Sequence, residues 1–405
     1  MTDKYPGEPI ADRIASALHP TPLGSLAPRI QTIVDKVMAR ADAELAAGFK
    51  GLSTDGSVIS GLFPMRKTRV SVQPLISAAE ALVALLDEAQ RKALTLPIES
   101  HEWRTWNNMH FFLFRHGVLL DDLSDRQRAA ALGLVRATLS ASGFETARNV
   151  MKLNEHIAEL TGHTEDFGEW YYWMTLFGNP SPTEPWGWQL DGHHLIINCF
   201  VLGDQLVLTP DFQGSEPVHA ESGIYAGTRV FHDEEARGHA LMQALSPAQR
   251  ERAIIGTAIP RDVVAMAHAD NAVVPQAGIR YDELSTDQRA LLLALITTYT
   301  GRIRPGHAEI RLEEVKAHLA ETTFGWIGPV DAKSPFYYRV QSPVILIEFD
   351  HIPGVAYTNQ EPTRRHVHTI VRTPNGNDYG RDLLRQHYEQ HDHSNPHSPH
   401  RRGRE

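Results

Sequence analysis

The period of the apolar positions changes along the chain. In residues 27–49, Ile30, Ile33, Val34, Val37 and Met38 recur at three- and four-residue spacing, which predicts an amphipathic helix. Residues 51–61 are rich in Gly and Ser and read as a loop or short strand. Between 170 and 212 the chain turns aromatic and β-branched. There His194, Ile196 and Asn198 fall on one face of a predicted strand, with His193, Leu195, Ile197 and Cys199 on the other. Gly203-Asp204, flanked by apolar runs, predicts a hairpin turn. A second strand-rich region covers 336–340, 343–350 and 366–372, and Asn375-Gly376-Asn377-Asp378 reads as a turn. The order is helices, strands, helices, strands. It predicts an α+β fold with a mostly antiparallel sheet, built from middle and C-terminal strands and flanked by helices. No clean linker interrupts residues 27–388, which read as one integrated domain. Residues 1–26 would form an N-terminal extension, and 389–405 a disordered His-rich tail.

One local pattern occurs four times, beginning at Leu86, Leu123, Leu245 and Leu284. Each copy places Asp87, Ser124, Ser246 or Ser285 three residues before Gln90, Gln127, Gln249 or Gln288. That is the spacing of a capping box, in which the first side chain takes an orphan N–H and the Gln reaches back to the cap. The leading Leu positions lie 37, 122 and 39 residues apart. A repeat array requires one fixed period, so the expectation is four separate helix starts.

Composition narrows the chemistry. The 405 residues include one cysteine, Cys199, which excludes an intramolecular disulfide framework and any Cys-based metal cluster. A formal charge of −10 argues against nucleic acid as a partner. No apolar run approaches a membrane span, and the N-terminus has no apolar stretch of the secretory type, so a cytoplasmic protein is expected. Among 22 histidines, those at 387, 391, 393, 397 and 400 read as solvated tail.

His366-Val367-His368 carries the clearest chemistry. Two residues apart on a strand, both imidazoles face one way, where a metal ion can take both. Glu348 interrupts an apolar run in the preceding predicted strand, and Asp350 shares its parity. Paired as a hairpin, these strands would offer two histidines and a carboxylate. The competing reading is a pair of surface histidines, with Glu348 paired to Arg339 or Arg372. In Gly192-His193-His194, neighbouring strand residues point to opposite faces, so one of the two histidines is the candidate. His194, sharing a face with Asn198, would be a further ligand or an acid/base group. In Glu184-Pro185-Trp186-Gly187-Trp188, Glu184 could move protons while Trp186 and Trp188 wall a cleft. Trp pairs are more often core. Arg339 and Asn198 are candidate substrate contacts, and Arg104, Arg302 and Arg304 could clamp a carboxylate. Motifs for dinucleotides, phosphate loops, HExxH zinc sites and serine nucleophile elbows are absent.

The combination of 184–188, Gly192-His193-His194, Asn198, Phe336-Tyr337-Tyr338-Arg339, Ile347-Glu348-Phe349-Asp350, His366-x-His368 and Asp382-Leu383-Leu384 resembles the bacterial domain-of-unknown-function 3500 family. The likeness runs from Ala27 to Tyr388. It implies a single domain in which both His-bearing segments belong to one site, and it carries no activity. Residues 351–365 form a longer loop than the family pattern has, a candidate lid or specificity element.

The expectation is therefore a metal-dependent enzyme. His366, His368, Glu348 and His194 would hold a divalent ion, zinc ahead of iron or copper, and a small polar or anionic molecule would be hydrolysed by metal-activated water. A non-haem iron or copper oxygenase using the same ligands is the second reading. A non-enzymatic small-molecule binding protein with a Trp-lined cleft is the third. No membrane partner is expected, and a homo-oligomer stays open.

Overall fold

A computed structural model describes residues 28–391 apart from Val355 and Thr358. The expected extension, 1–26, and the tail beyond 391, with its histidines at 393, 397 and 400, lie outside the described residues. Glu389 and Gln390, assigned above to the tail, belong to the last helix.

The first part of the chain supplies α1 (Pro28–Ala46), α2 (Gln73–Leu85), α3 (Glu88–Leu94), β1 (Thr95–Leu96), β2 (Val118–Leu119), α4 (Asp125–Thr138) and α5 (Ala141–Thr161). Strands β3 (Tyr172–Phe177), β4 (Trp186–Gly192), β5 (Leu195–Leu202), β6 (Gln205–Val207) and β7 (Asp211–Ser215) follow. Then come α6 (His232–Ala244), α7 (Pro247–Ala253), β8 (Ile279–Arg280), α8 (Thr286–Thr300) and α9 (His307–Ala317). The chain closes with β9 (Thr323–Ile327), β10 (Tyr337–Gln341), β11 (Leu346–Pro353), β12 (Pro362–Arg372) and α10 (Arg381–Gln390). All twelve strands join one sheet, in the order β1-β3-β4-β5-β7-β12-β11-β10-β9-β8, with β2 on β3 and β6 on β5. Every pairing between them is antiparallel except β1 with β3. The fold is the expected α+β class. No helix among the described residues is long and apolar enough to cross a membrane.

Register assigns the two faces of the sheet. Leu195, Ile197, Cys199, Ile347, Phe349, Val367 and Val371 point to one side, into a core with Leu75, Leu134, Met151, Leu241 and Leu292 from the helices. The opposite face is polar as well as apolar. Cross-strand neighbours there include Asp191 with Ile196, Ile196 with Phe212, Gly214 with His368, and Asp350 with His368. Ile98, Trp103, Trp106, Val263, Ala265, Tyr379 and Leu383 from intervening segments and α10 pack over it. A buried network pins this cover. Arg372 donates to Asp270 and Asp378, each at 2.7 Å, and Arg104 donates to Asp270 at 2.7 Å.

All four capping boxes form, at Asp87, Ser124, Ser246 and Ser285. The four expected helix starts are thus present, and they fall into two matched pairs. Leu245 follows Leu86 by 159 positions, and Leu284 follows Leu123 by 161. In the first pair Gln127 Nε2 donates to Leu85 O and Gln90 Oε1; in the second, Gln288 Nε2 donates to Ala244 O and Gln249 Oε1. The strands repeat as well. After α3 the chain pairs parallel with β3, and after α7 Ile254 makes a parallel bridge to Trp326 in β9. β2 lies on β3 as β8 lies on β9, and each set continues as an antiparallel meander. The two halves meet where β7 pairs with β12. The single fixed period required above hid a two-copy duplication, whose unit is one short and one long interval together.

Candidate metal centre

The β11–β12 hairpin puts His366 and His368 on the same face, as strand periodicity requires. The third imidazole comes from the other half. His193 and His194 form the two-residue turn between β4 and β5, and His194 has φ +63°. The turn breaks the alternation expected of a strand, so the two rings stack side by side, 3.8 Å between centroids. Ring centroids of His194 lie 5.1 Å from those of both His366 and His368. Two segments more than 170 residues apart in sequence thus converge, with His194 Nε2 3.1 Å from His366 Nε2 and His366 Nε2 3.2 Å from His368 Nε2. The ligand atoms of the three all lie within 4.8 Å of one another, a buried group that could hold a metal ion.

Between them runs Gly214 of β7. A Cβ there would stand 2.7 Å from His368 Cδ2 and 3.0 Å from His194 Cδ2, so only glycine lets both rings approach.

The outer nitrogens fix the tautomers. His366 Nδ1 lies 2.8 Å from Pro353 O, and a carbonyl only accepts, so Nδ1 carries the proton. His368 Nδ1 donates to Asp262 Oδ1 at 2.7 Å. With each ring carrying its one proton on Nδ1, the two Nε2 atoms present lone pairs to each other across 3.2 Å. A cation resolves that opposition. Nitrogens on a tetrahedral ion at about 2.0–2.1 Å stand about 3.3–3.4 Å apart, close to the spacing here. Burial, followed by the neighbouring imidazoles, holds His194 and His366 well below the usual histidine range, which keeps them neutral. Neutral imidazoles with an acceptor behind Nδ1 are the ligand form.

Other candidate residues lie elsewhere. Glu348 is on the same face but is not a member of the group. Its carboxylate accepts from Val264 N, Ala265 N and the Tyr337 hydroxyl at 2.9, 2.8 and 2.6 Å. Trp186 and Trp188 are fully buried in the helix-side core, on the opposite face, and wall no cleft. Glu184 sits before β4, with His387 of α10 at 3.8 Å, away from the three histidines. His387 is thus a buried helix residue and not solvated tail. Asn198 is held between Gln189 Nε2 and Pro210 O, and Arg339 Nη2 donates to Pro275 O. Arg104 and Arg302 are committed to buried carboxylates, Asp270 and Glu234, and Arg304 donates to Ala137 O.

Two features went unread in the sequence. Gly214 and Asp262 sit in segments with no local pattern to mark them. Asp350 does carry a signal, the strand parity it shares with Glu348. It is the cross-strand neighbour of His368, fully buried, and neither carboxyl oxygen has a hydrogen-bond partner. Burial, then the Asp262 and Glu348 carboxylates, pushes it well above the usual carboxylate range.

No curated protein and no solved structure matches the chain. A family model described as "Protein of unknown function (DUF3500)" matches residues 68–381, and the chain belongs to that family.

Proposed function

We propose that the protein is a metal-dependent enzyme in which His194, His366 and His368 hold one divalent ion, zinc by preference, for hydrolytic chemistry on a small polar or anionic molecule. The observation that carries this reading is the pair of opposed Nε2 lone pairs, with both outer nitrogens already committed. Three imidazole ligands would leave a fourth position for water, and an ion so held would lower that water's pKa toward neutrality. An oxygen-activating iron site characteristically uses two histidines and a carboxylate. Here the third ligand is His194, and Glu348 is spent on backbone and Tyr337, which favours water activation over oxygenation. The Trp-lined binding cleft loses its support with Trp186 and Trp188 in the core.

Within this reading Asp262 orients His368 through Nδ1, and the Pro353 carbonyl does the same for His366. Asp350, its carboxyl without a partner and pushed by burial well above the usual carboxylate range, is the group assigned to hold or release a proton beside the centre. The three histidines are only 3–4% exposed, so the substrate is small or enters by displacing a covering segment. Metal analysis of the purified protein tests the proposal. One equivalent of zinc is expected, lost in His366→Ala and His368→Ala. Iron or copper would move the reading to the oxygenase, and a metal-free protein unchanged in stability by both substitutions would end it.

A further inference from the structure

A hydrated ion cannot cross a packed interior without shedding water against replacement ligands, because desolvating a bare charge there is prohibitive. The enclosed centre therefore needs a route lined with donors. One is present. At the end of α5, His163, Glu165 and Asp166 form a second group whose ligand atoms lie within 4.8 Å of one another. The His163 and Glu165 side chains are 61% and 56% exposed. Asp121, Glu155, Glu165 and Asp166 all act electrostatically on Tyr171, so this part of the surface is acidic.

From that group imidazoles run inward. His110 is close enough to His163 for their charges to interact. Its ring lies 5.1 Å from Phe167 and 5.8 Å from His193. His193 in turn stacks on His194, 3.8 Å away. His193 uses Nδ1 toward Asn154 Oδ1 at 2.6 Å, and among the described residues its Nε2 has no hydrogen-bond partner, nor does either nitrogen of His110. Packing alone would be served as well by phenylalanine at position 110, whereas His193 is also held by Asn154. Four imidazoles in sequence, from exposed to buried, with donor nitrogens left over, are what ligand exchange requires.

We propose that a divalent metal ion enters along this line, caught at the surface by His163, Glu165 and Asp166 and passed by His110 and His193 to His194. The route rests on the metal reading of the three-histidine centre. Its test is kinetic. Full-length protein is stripped with chelator, and Co²⁺ or Zn²⁺ uptake is followed in stopped flow for wild type, for the double variant His163→Ala/Glu165→Gln, and for His110→Phe, which keeps an aromatic ring. The tail histidines are common to all three. Both variants should load about tenfold more slowly, the low end of what electrostatic capture supplies, and reach wild-type stoichiometry and Kd. Because Kd is the ratio of the two rates, chelator-driven release must slow by the same factor. Uptake at the wild-type rate in both variants overturns the route alone. Loss of the bound ion at equilibrium in His110→Phe also overturns it, by making His110 a ligand of the resting site. Wild-type protein that takes up neither ion overturns the centre and the route together.

Discussion

Gly214 shows how much of the centre depends on an atom that is missing. Two imidazoles, one from the turn before β5 and one from β12, close over its α-carbon, and a methyl group would meet both at 3.0 Å or less. Gly214→Ala should therefore leave the fold standing but push the Nε2 atoms apart. The expected result is a loss of metal affinity on the order of tenfold to a hundredfold, the range seen when ligand orientation is disturbed. Competition titration against a chelator of known affinity measures it, and an unchanged affinity would mean the rings do not need this approach. Residue-level reading of the sequence found His366 and His368 because strand parity is a local rule, whereas His194, read as a strand residue, reaches them from a turn. The same reading chose Glu348 over other partners for the histidines because parity fixes the face of a side chain and not what lies above it. The backbone N–H groups of Val264 and Ala265, which hold Glu348, come from a segment more than eighty residues earlier.

At the scale of elements, helix α6 is tied to the hairpin that bears two of the three clustered histidines. Glu235 accepts from His351 Nε2 of β11 at 3.0 Å and from Arg364 Nε of β12 at 2.6 Å. Burial raises its pKa, but the hydrogen bonds and charges of His351 and Arg364 outweigh burial and bring it down to about 2. A carboxylate depressed in the folded state contributes stability that is fully present above its ordinary pKa, near ~4.3, and is lost as pH falls toward the folded value. Urea denaturation between pH 5 and about 2.5 should thus show a loss of stability that Glu235→Gln reduces, while the two proteins differ by a constant amount above pH 5. A parallel decline in both would assign the acid sensitivity elsewhere. Elements were the scale at which the sequence was most legible. Capping boxes, the Gly203-Asp204 hairpin and the strand status of 366–372 all rest on short-range patterns, and all are present. The turn at His193-His194 was not, since nothing in Gly192-His193-His194 announces a left-handed residue at histidine.

For the whole molecule, the duplication makes a comparison that neither half offers alone. Gln127 and Gln288 each close a capping box and clamp the end of the preceding helix pair through the same two bonds. Replacing either with Ala removes a reciprocal cap and strands a carbonyl, a cost of about 1–2 kcal/mol. The two losses should agree within about 0.5 kcal/mol and add in the double variant, since the sites are distant. Thermal or urea unfolding decides this, and a large cost at one site with none at the other would deny that they are equivalent. The same frame shows why the duplication was hard to read. Its signature is two pairs of boxes, and the strands between them have diverged in sequence while keeping their order.

Divergence has left the two copies unequal in a way that bears on tolerance to change. Where the first copy turns from β4 to β5 in two residues, His193 and His194, the second turns from β10 to β11 through four, Ser342, Pro343, Val344 and Ile345. The symmetric frame offers that corner twice and equips it with an imidazole once. One corner faces the β12 histidines; its counterpart has no imidazole to present. Natural variation in loop length and residue type should accumulate at the Ser342–Ile345 corner and be purged from the His193–His194 corner, although the scaffold treats the two as the same place.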